Sequence, residues 1–502
     1  MERKRKPKQS RTRERKIHTD EKIAEMTTSI LDIPDTVLTD IVLRLPVKAI
    51  IMCKCVCKPW RRVISDPHFA EMHFARAEPC PLIRASSGSK VSRMLYLVEH
   101  SEINVSYNDE NYSCPEYEDA VNLKLDTRLK IPLRNVEMVP RNSTNPKSES
   151  GFKRRCIKVT AKEHKFQIVN SCNGFLCLSH PLYNYPLVVC NPVTGEYLNI
   201  PGTCESNERT DYVCCGLGYS ERSNQFKIFR ISDGESLIAP CPITGEDAWL
   251  FEVAEVLTLG TSTWRRIGHA PYCGGGYKLT FLTCVGGSIY WLNKYAKKVD
   301  LIHSFDFNEE KFRGIKPPPF ADLGQLDQSL MTLGMLGGRL SLCTGLIDMK
   351  KIQIWTLEAT GECTWKCFKT VNLDVVDRWP LGSYLPINFC KDKKGLLMFQ
   401  SPKIAFIYAS SERDKLKYFR IHATKAKYEA VAHNPSFVLL RDVIKGDSVE
   451  ILNTNSRYLS PSQIMSDYSH SFYYSFIALS LVDALCRNPF VCTEEEFNID
   501  SY

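Results

Sequence analysis

Apolar positions change their rhythm once along this chain. From Leu31 to Phe74 they recur at helical spacing, and from Met94 onward they gather in short runs set off by glycine. In the first stretch Val37, Leu38, Ile41, Val42 and Leu45 fall on one helical face. Pro34 suits the first turn of a helix, because its fixed φ fits and its missing N–H is not needed there. Asp35 follows at the positive helix end, where a carboxylate is favoured, and Pro46 stops the helix. A second apolar run covers Val47 to Cys57. Pro59 then re-opens a helix whose inner face is Trp60, Val63 and Ile64, and Pro67 precedes Phe69, Met72 and Phe74. The pattern predicts three or four short helices in 44 residues. So little chain does not enclose a core of its own, which predicts a partner surface.

These residues resemble the F-box family. The hydrophobic-Pro opening is Ile33-Pro34, the Arg-Leu-Pro element is Arg44-Leu45-Pro46, and the Val-Cys-Lys-x-Trp element is Val56-Cys57-Lys58-Pro59-Trp60. A hydrophobic-x-x-Pro-x-Phe ending runs from Ile64 to Phe69. Ile33 stands where Leu is usual, and Ile50-Ile51 where Leu is commoner; both keep the apolar contact. The resemblance implies docking on a Skp-type adaptor that joins cullin and RING subunits in an SCF-type ubiquitin ligase. The residues expected on the adaptor face are Pro34, Leu38, Ile41, Leu45, Pro46, Val56 and Trp60.

Beyond a connector, the β-type runs repeat. Gly174, Gly287, Gly338 and Gly395 each precede an apolar strand, and they lie 113, 51 and 57 residues apart, the first gap spanning two periods. Second strands follow, as in Val188–Cys190, Ser304–Phe307, Gln353–Leu357 and Phe406–Ala409. A period near 50 with several short strands marks propeller blades, each of which buries its faces only against its neighbours. The span from Met94 to about 455 holds roughly seven such units, with six or eight also accommodated. Three motifs here resemble the F-box-associated domain of plant F-box proteins. They are Ser171-Cys172-Asn173-Gly174-Phe175-Leu176-Cys177, Cys190-Asn191-Pro192-Val193-Thr194-Gly195-Glu196, and Gly216-Leu217-Gly218-Tyr219 running to Phe226-Lys227-Ile228. The pairs Gly286-Gly287 and Gly337-Gly338 are also similar to kelch blades.

Charge and composition narrow the function. The net charge is +8, but residues 1–16 alone hold nine Lys/Arg against two Glu, so the body behind them is nearly neutral and offers no nucleic-acid surface. The basic run Arg3 to Lys8 reads either as a nuclear-import signal or as a solvated tail. Twenty-one cysteines, an odd number, in a large chain with a charged N-terminus point to reduced thiols of a nuclear or cytoplasmic protein. No apolar run is long enough for a membrane span. Cys53, Cys55, Cys57, His68 and His73 lack the paired loop spacing of a zinc site. No nucleophile elbow, phosphate loop or dinucleotide loop occurs. Trp264, Tyr290, Trp291, Trp355 and Trp365 read as blade packing.

The expected fold is therefore an α+β multidomain chain. A basic tail (1–26) leads to a helical F-box (27–75), a linker (76–92), a mainly β, propeller-like F-box-associated domain (93–455) and a C-terminal helical segment (456–502). The segment 456–502 packs either on the F-box or under the ring. The expected function is a non-catalytic substrate receptor with neither cofactor nor metal, which holds a target protein through the propeller. A propeller enzyme such as a kelch-like oxidase, or a ligase-independent F-box scaffold, are the alternatives.

Overall fold

In a computed structural model, the residues described are 33–86, 93–99, 121–123, 127–132, 166–179, 186–202, 212–239, 249–271, 282–293, 301–319, 330–346, 351–358, 364–372, 383–389, 395–401, 405–410, 416–421, 427–446 and 449–454. The basic tail and the segment 456–502 lie outside them. The chain divides into two compact units, with the changeover after Phe69.

The first unit is helical. Helices span Asp35–Val42, Val47–Cys53 and Lys58–Ile64, and a fourth, Pro67–Arg76, begins before the changeover. Prolines set the boundaries. Pro34 and Pro46 are the N-caps of the first two helices, and Pro59 lies in the first turn of the third. The buried side chains include Leu38, Val42, Leu45, Ile50, Cys53, Trp60 and Ile64. Arg62 reaches back 2.7 Å to Asp35, tying the third helix to the start of the first.

The second unit is a ring of six sheets among the described residues, not about seven. The main strands of sheets two to six follow chain order, starting at Gln167, Tyr212, Thr283, Thr332 and Ser383, and the early strand Val121–Leu123 joins the edge of sheet six. The first sheet is built from both ends of the domain. The late strand Lys427–His433 pairs along its whole length with Cys80–Ser86, which then pairs with Met94–Leu97. Cys80–Ser86 thus runs through the stretch expected as a linker. The smaller blade count has a simple cause. The first sheet spreads over residues 80–130, with few described strand residues before Phe166, and the chain after His433 forms a strap rather than another blade.

Hydrogen bonds close the ring between neighbouring sheets. Ser171 Oγ lies 2.8 Å from His433 Nδ1 (sheets two and one), and Asn170 both donates to Leu217 O at 2.8 Å and accepts from Leu217 N at 3.0 Å (two and three). Ser220 Oγ donates to Asn308 at 3.1 Å (three and four), Thr283 Oγ1 to Leu333 O at 3.2 Å (four and five), and Thr332 Oγ1 to Tyr384 O (five and six). Asn388 Nδ2 completes the circuit with Pro79 O, beside sheet one, at 3.2 Å. No cross-link is needed, because the early strand Cys80–Ser86 and the late strand Lys427–His433 share one sheet.

The hairpins explain the glycine period. Asn173-Gly174, Gly286-Gly287 and Gly337-Gly338 all have positive φ at both residues, as a two-residue turn that keeps the strand twist requires. Sheet three instead turns through 221–224 with Asn224 at φ 52°, so its hairpin carries no glycine and the spacing doubles there. Packing between sheets three and four is aromatic. Phe229, Trp291, Phe305 and Phe307 are buried, with the Phe229 ring centroid 5.1 Å from Phe305 and 5.8 Å from Trp291. Gly218 makes this possible, since a Cβ there would lie 1.9 Å from the Phe307 ring.

Candidate functional site

The seven residues expected on the adaptor face divide by burial. Leu38, Leu45 and Trp60 lie inside the helical unit at 3%, 6% and 2% exposure. Ile41 and Pro46 are half-buried, and Pro34 and Val56 are exposed. Val37, read from the sequence as part of the inner stripe, is instead 50% exposed, and Val56 is 42% exposed. Val37 and Val56 are the exposed large apolar side chains among the described residues of this unit.

The cysteines of this unit do not converge. Cys53 is buried and its thiol is pushed up to about 12 by burial and then by Cys55, whereas Cys55 is exposed and Cys57 half-buried. Among the described residues no group of three or more His, Cys, Asp or Glu could hold a metal ion.

The ring opens on one side into a cavity of about 360 Å³. Its wall includes Ser171, Cys172, Tyr219, Cys284, Met335 and Phe74, and the only charged side chain among the described lining residues is Glu221. Cys172 in this wall and Cys177 in the same sheet are held in the thiol form. Cys172 is raised by its hydrogen bond with Cys284 and by burial, and Cys177 by its hydrogen bond with Cys215 and by burial. A buried thiol kept neutral is a poor nucleophile and a poor metal ligand. His433, fully buried behind Ser171, is lowered to about 3 by burial. Its imidazole resists the charge that a general base must take up, so the Ser171–His433 pair acts as a clasp between sheets.

The turn motif at Asn191 has a different task. Asn191 Oδ1 accepts from Val193 N at 2.9 Å, while its Nδ2 donates to Ser436 O at 2.9 Å and Val438 O at 2.8 Å. Glu196, 1% exposed, accepts from Leu440 N at 2.7 Å and from Arg441 Nε at 2.6 Å. The strand Ile451–Asn453 then adds to the edge of sheet two beside Glu196–Asn199. Asn191 and Glu196 therefore grip the strap that leaves the closed ring. The motif was visible in the sequence, but its partner lies 245 residues away, beyond any local signal.

The tryptophans fit packing roles to different degrees. Trp291 is buried at 1% exposure. Trp264 is half-buried, donates to Pro201 O at 2.9 Å and lies under the Arg230 guanidinium at 3.8 Å. Trp365, on an outer strand, donates to Lys316 O of the neighbouring sheet at 2.7 Å.

Comparison with known proteins agrees with both units. Residues 30–71 match the F-box domain and residues 124–439 match the F-box associated beta propeller domain. F-box protein At3g07870 of Arabidopsis thaliana is 25% identical over 368 residues, covering 70% of this chain and 73% of that protein. The F-box protein CPR1 of the same plant is 24% identical over 431 residues, covering 81% of this chain and 89% of its own. The putative F-box protein At4g10190 is 24% identical over 382 residues, covering 74% and 86%. An N-terminal helical module and a ring of six sheets among the described residues, each matched by its own domain family, place the chain among the F-box proteins that carry an F-box associated beta propeller domain.

Proposed function

We propose that this chain is the substrate-recognition subunit of an SCF-type E3 ubiquitin ligase, its helical unit docking on a Skp-type adaptor and its ring holding the target protein. The observation that carries this reading is the ordered F-box match at 30–71 on a unit that keeps Val37 and Val56 in water. The role calls for no nucleophile. Holding a target near the loaded catalytic subunits raises the effective concentration of its lysines, and that suffices.

The test separates docking from folding. Pro34→Glu combined with Val56→Glu changes exposed positions only, so the full chain keeps its circular dichroism spectrum while recovery with a co-expressed Skp-type adaptor falls at least tenfold. Unchanged recovery, or a wild-type chain with no affinity for any such adaptor, would overturn the assignment.

A further inference from the structure

The cavity wall contains two thiols that meet although they belong to different sheets. Cys172 ends the first strand of sheet two, and Cys284 lies in the first strand of sheet four. These strands come within 8 Å of each other, Cα to Cα, and Leu282 N donates to Val169 O at 3.4 Å where they meet. A hydrogen bond joins the Cys172 and Cys284 side chains. Cys284 Sγ is fixed from two further sides, donating to Leu217 O at 3.2 Å and accepting from Asn170 Nδ2 at 3.4 Å. Sulfurs that already meet reach bonding distance by turning about their side-chain torsions. Cys284 is half-buried and Cys172 buried, and both open on the cavity. A second pair, Cys177 with Cys215, is hydrogen-bonded in the same way, but both are buried and neither is among the described residues of the cavity wall. The two pairs differ in access.

We propose that Cys172 and Cys284 form an oxidation site, at which a hydroperoxide entering the cavity converts the two thiols into a disulfide between sheets two and four. A cavity of about 360 Å³ admits hydrogen peroxide, a molecule little larger than water. The more open Cys284 reacts first. It gives its proton to water, its sulfur attacks one peroxide oxygen, and the O–O bond breaks. The hydroxide that leaves takes up a proton to become water, and Cys284 is left as a sulfenic acid. The Cys172 sulfur then attacks the Cys284 sulfur, the S–O bond breaks, and the departing hydroxyl takes the Cys172 proton as a second water. The thiols lose two electrons and the peroxide gains them. Cys172 reacts poorly with a free oxidant, but in this step its target is held beside it. A dithiol reductant restores both thiols by exchange. The site goes beyond target capture and stands whether or not the chain joins a ligase.

The test treats the full chain, reduced and then freed of reductant, with hydrogen peroxide. Remaining thiols are alkylated under denaturing conditions, and the peptides are mapped by mass spectrometry with fragmentation. The expected product joins Cys172 to Cys284, lacks two hydrogens relative to the reduced peptides, and is cleaved by dithiothreitol. Cys177 and Cys215 are expected to be recovered alkylated, because the oxidant does not reach them. In Cys172→Ser the sulfenic acid on Cys284 has no partner and is expected to be trapped by dimedone, whereas in Cys284→Ser Cys172 is expected to stay reduced. The wild-type map needs no variant, so a substitution that harms folding leaves the central result intact. Failure to join Cys172 to Cys284 at a peroxide dose that oxidises the exposed Cys55 and Cys367 would overturn the site. Equal joining of Cys177 to Cys215 would also overturn it, since access through the cavity would then decide nothing.

Discussion

His433 sits fully buried on the strand that closes the ring, with Ser171 on its Nδ1 and no hydrogen-bond partner at Nε2. His73 and His303 are likewise buried, and burial lowers both to about 4, against about 3 for His433. In the unfolded chain these rings take up a proton below about pH 6.5, while in the fold they stay neutral until far lower. Their contribution to stability is thus complete above pH 6.5 and declines as the pH falls towards 4 to 3. Each ring is expected to remove about 1.4 kcal/mol per pH unit below 6.5. Glu310 belongs to a different window. Burial pushes its carboxyl up, but hydrogen bonds from Arg265 and Lys227 hold it below its ordinary value, so its loss comes at lower pH. Urea unfolding at pH 7.5, 6.5 and 5.5 is expected to show a steepening loss, and His433→Gln to remove one ring's share of that slope. An unchanged slope in the variant would show that His433 does not titrate on unfolding. Nothing in the sequence marked this residue, because its burial depends on a strand pairing more than 300 residues long. Gly216 and Gly218 were legible as a motif, but the Phe307 ring that demands Gly218 belongs to the next sheet.

At the scale of elements, the strap from Asn434 to Asn453 depends on a few polar side chains of sheet two. Asn191→Ala leaves the carbonyls of Ser436 and Val438 without their donor, and an unpaired buried carbonyl costs about 1–3 kcal/mol. The expected result is a lower urea midpoint together with faster proteolysis within 440–446, while the strands Phe175–Ser179 and Pro186–Cys190 remain resistant. Cleavage at the wild-type rate would mean that the strap is held by Glu196 and strand pairing alone. The strap also shows where the sequence misled. Hairpin glycines have a local cause, the positive φ of a tight turn, and so the blade period could be read directly. The number of blades has no such cause. It depends on which strands share a sheet, and here the early strand Cys80–Ser86 and the late strand Lys427–His433 share the first one. The helical unit was the more legible half, because proline boundaries and a period of 3.6 are local rules. Even so, Val37 turned outward where the helical stripe had placed it inward, since only tertiary packing decides which edge of a stripe is covered.

For the whole molecule, the chain divides into two compact units, one whose described residues are helical and one that forms the ring. The two differ in what holds them. The ring is closed by hydrogen bonds between every pair of neighbouring sheets, whereas the first unit rests, among the described residues, on helices of seven and eight residues, each too short to be stable without its neighbours. Its local opening should therefore be frequent, and a bound adaptor should suppress it by mass action. At an adaptor concentration 100 times its dissociation constant the gain is about 2.7 kcal/mol, or about 100-fold slower exchange of the amides that open with that unit. Hydrogen exchange read by mass spectrometry is expected to show this slowing in Asp35–Val42, Val47–Cys53 and Lys58–Ile64. The strands Phe175–Ser179 and Ile302–Asp306 should keep their rates, because the adaptor bears only on the unit it touches. Slowing spread evenly over both units would show that they open together, and no slowing in the helices would show that the adaptor does not dock there.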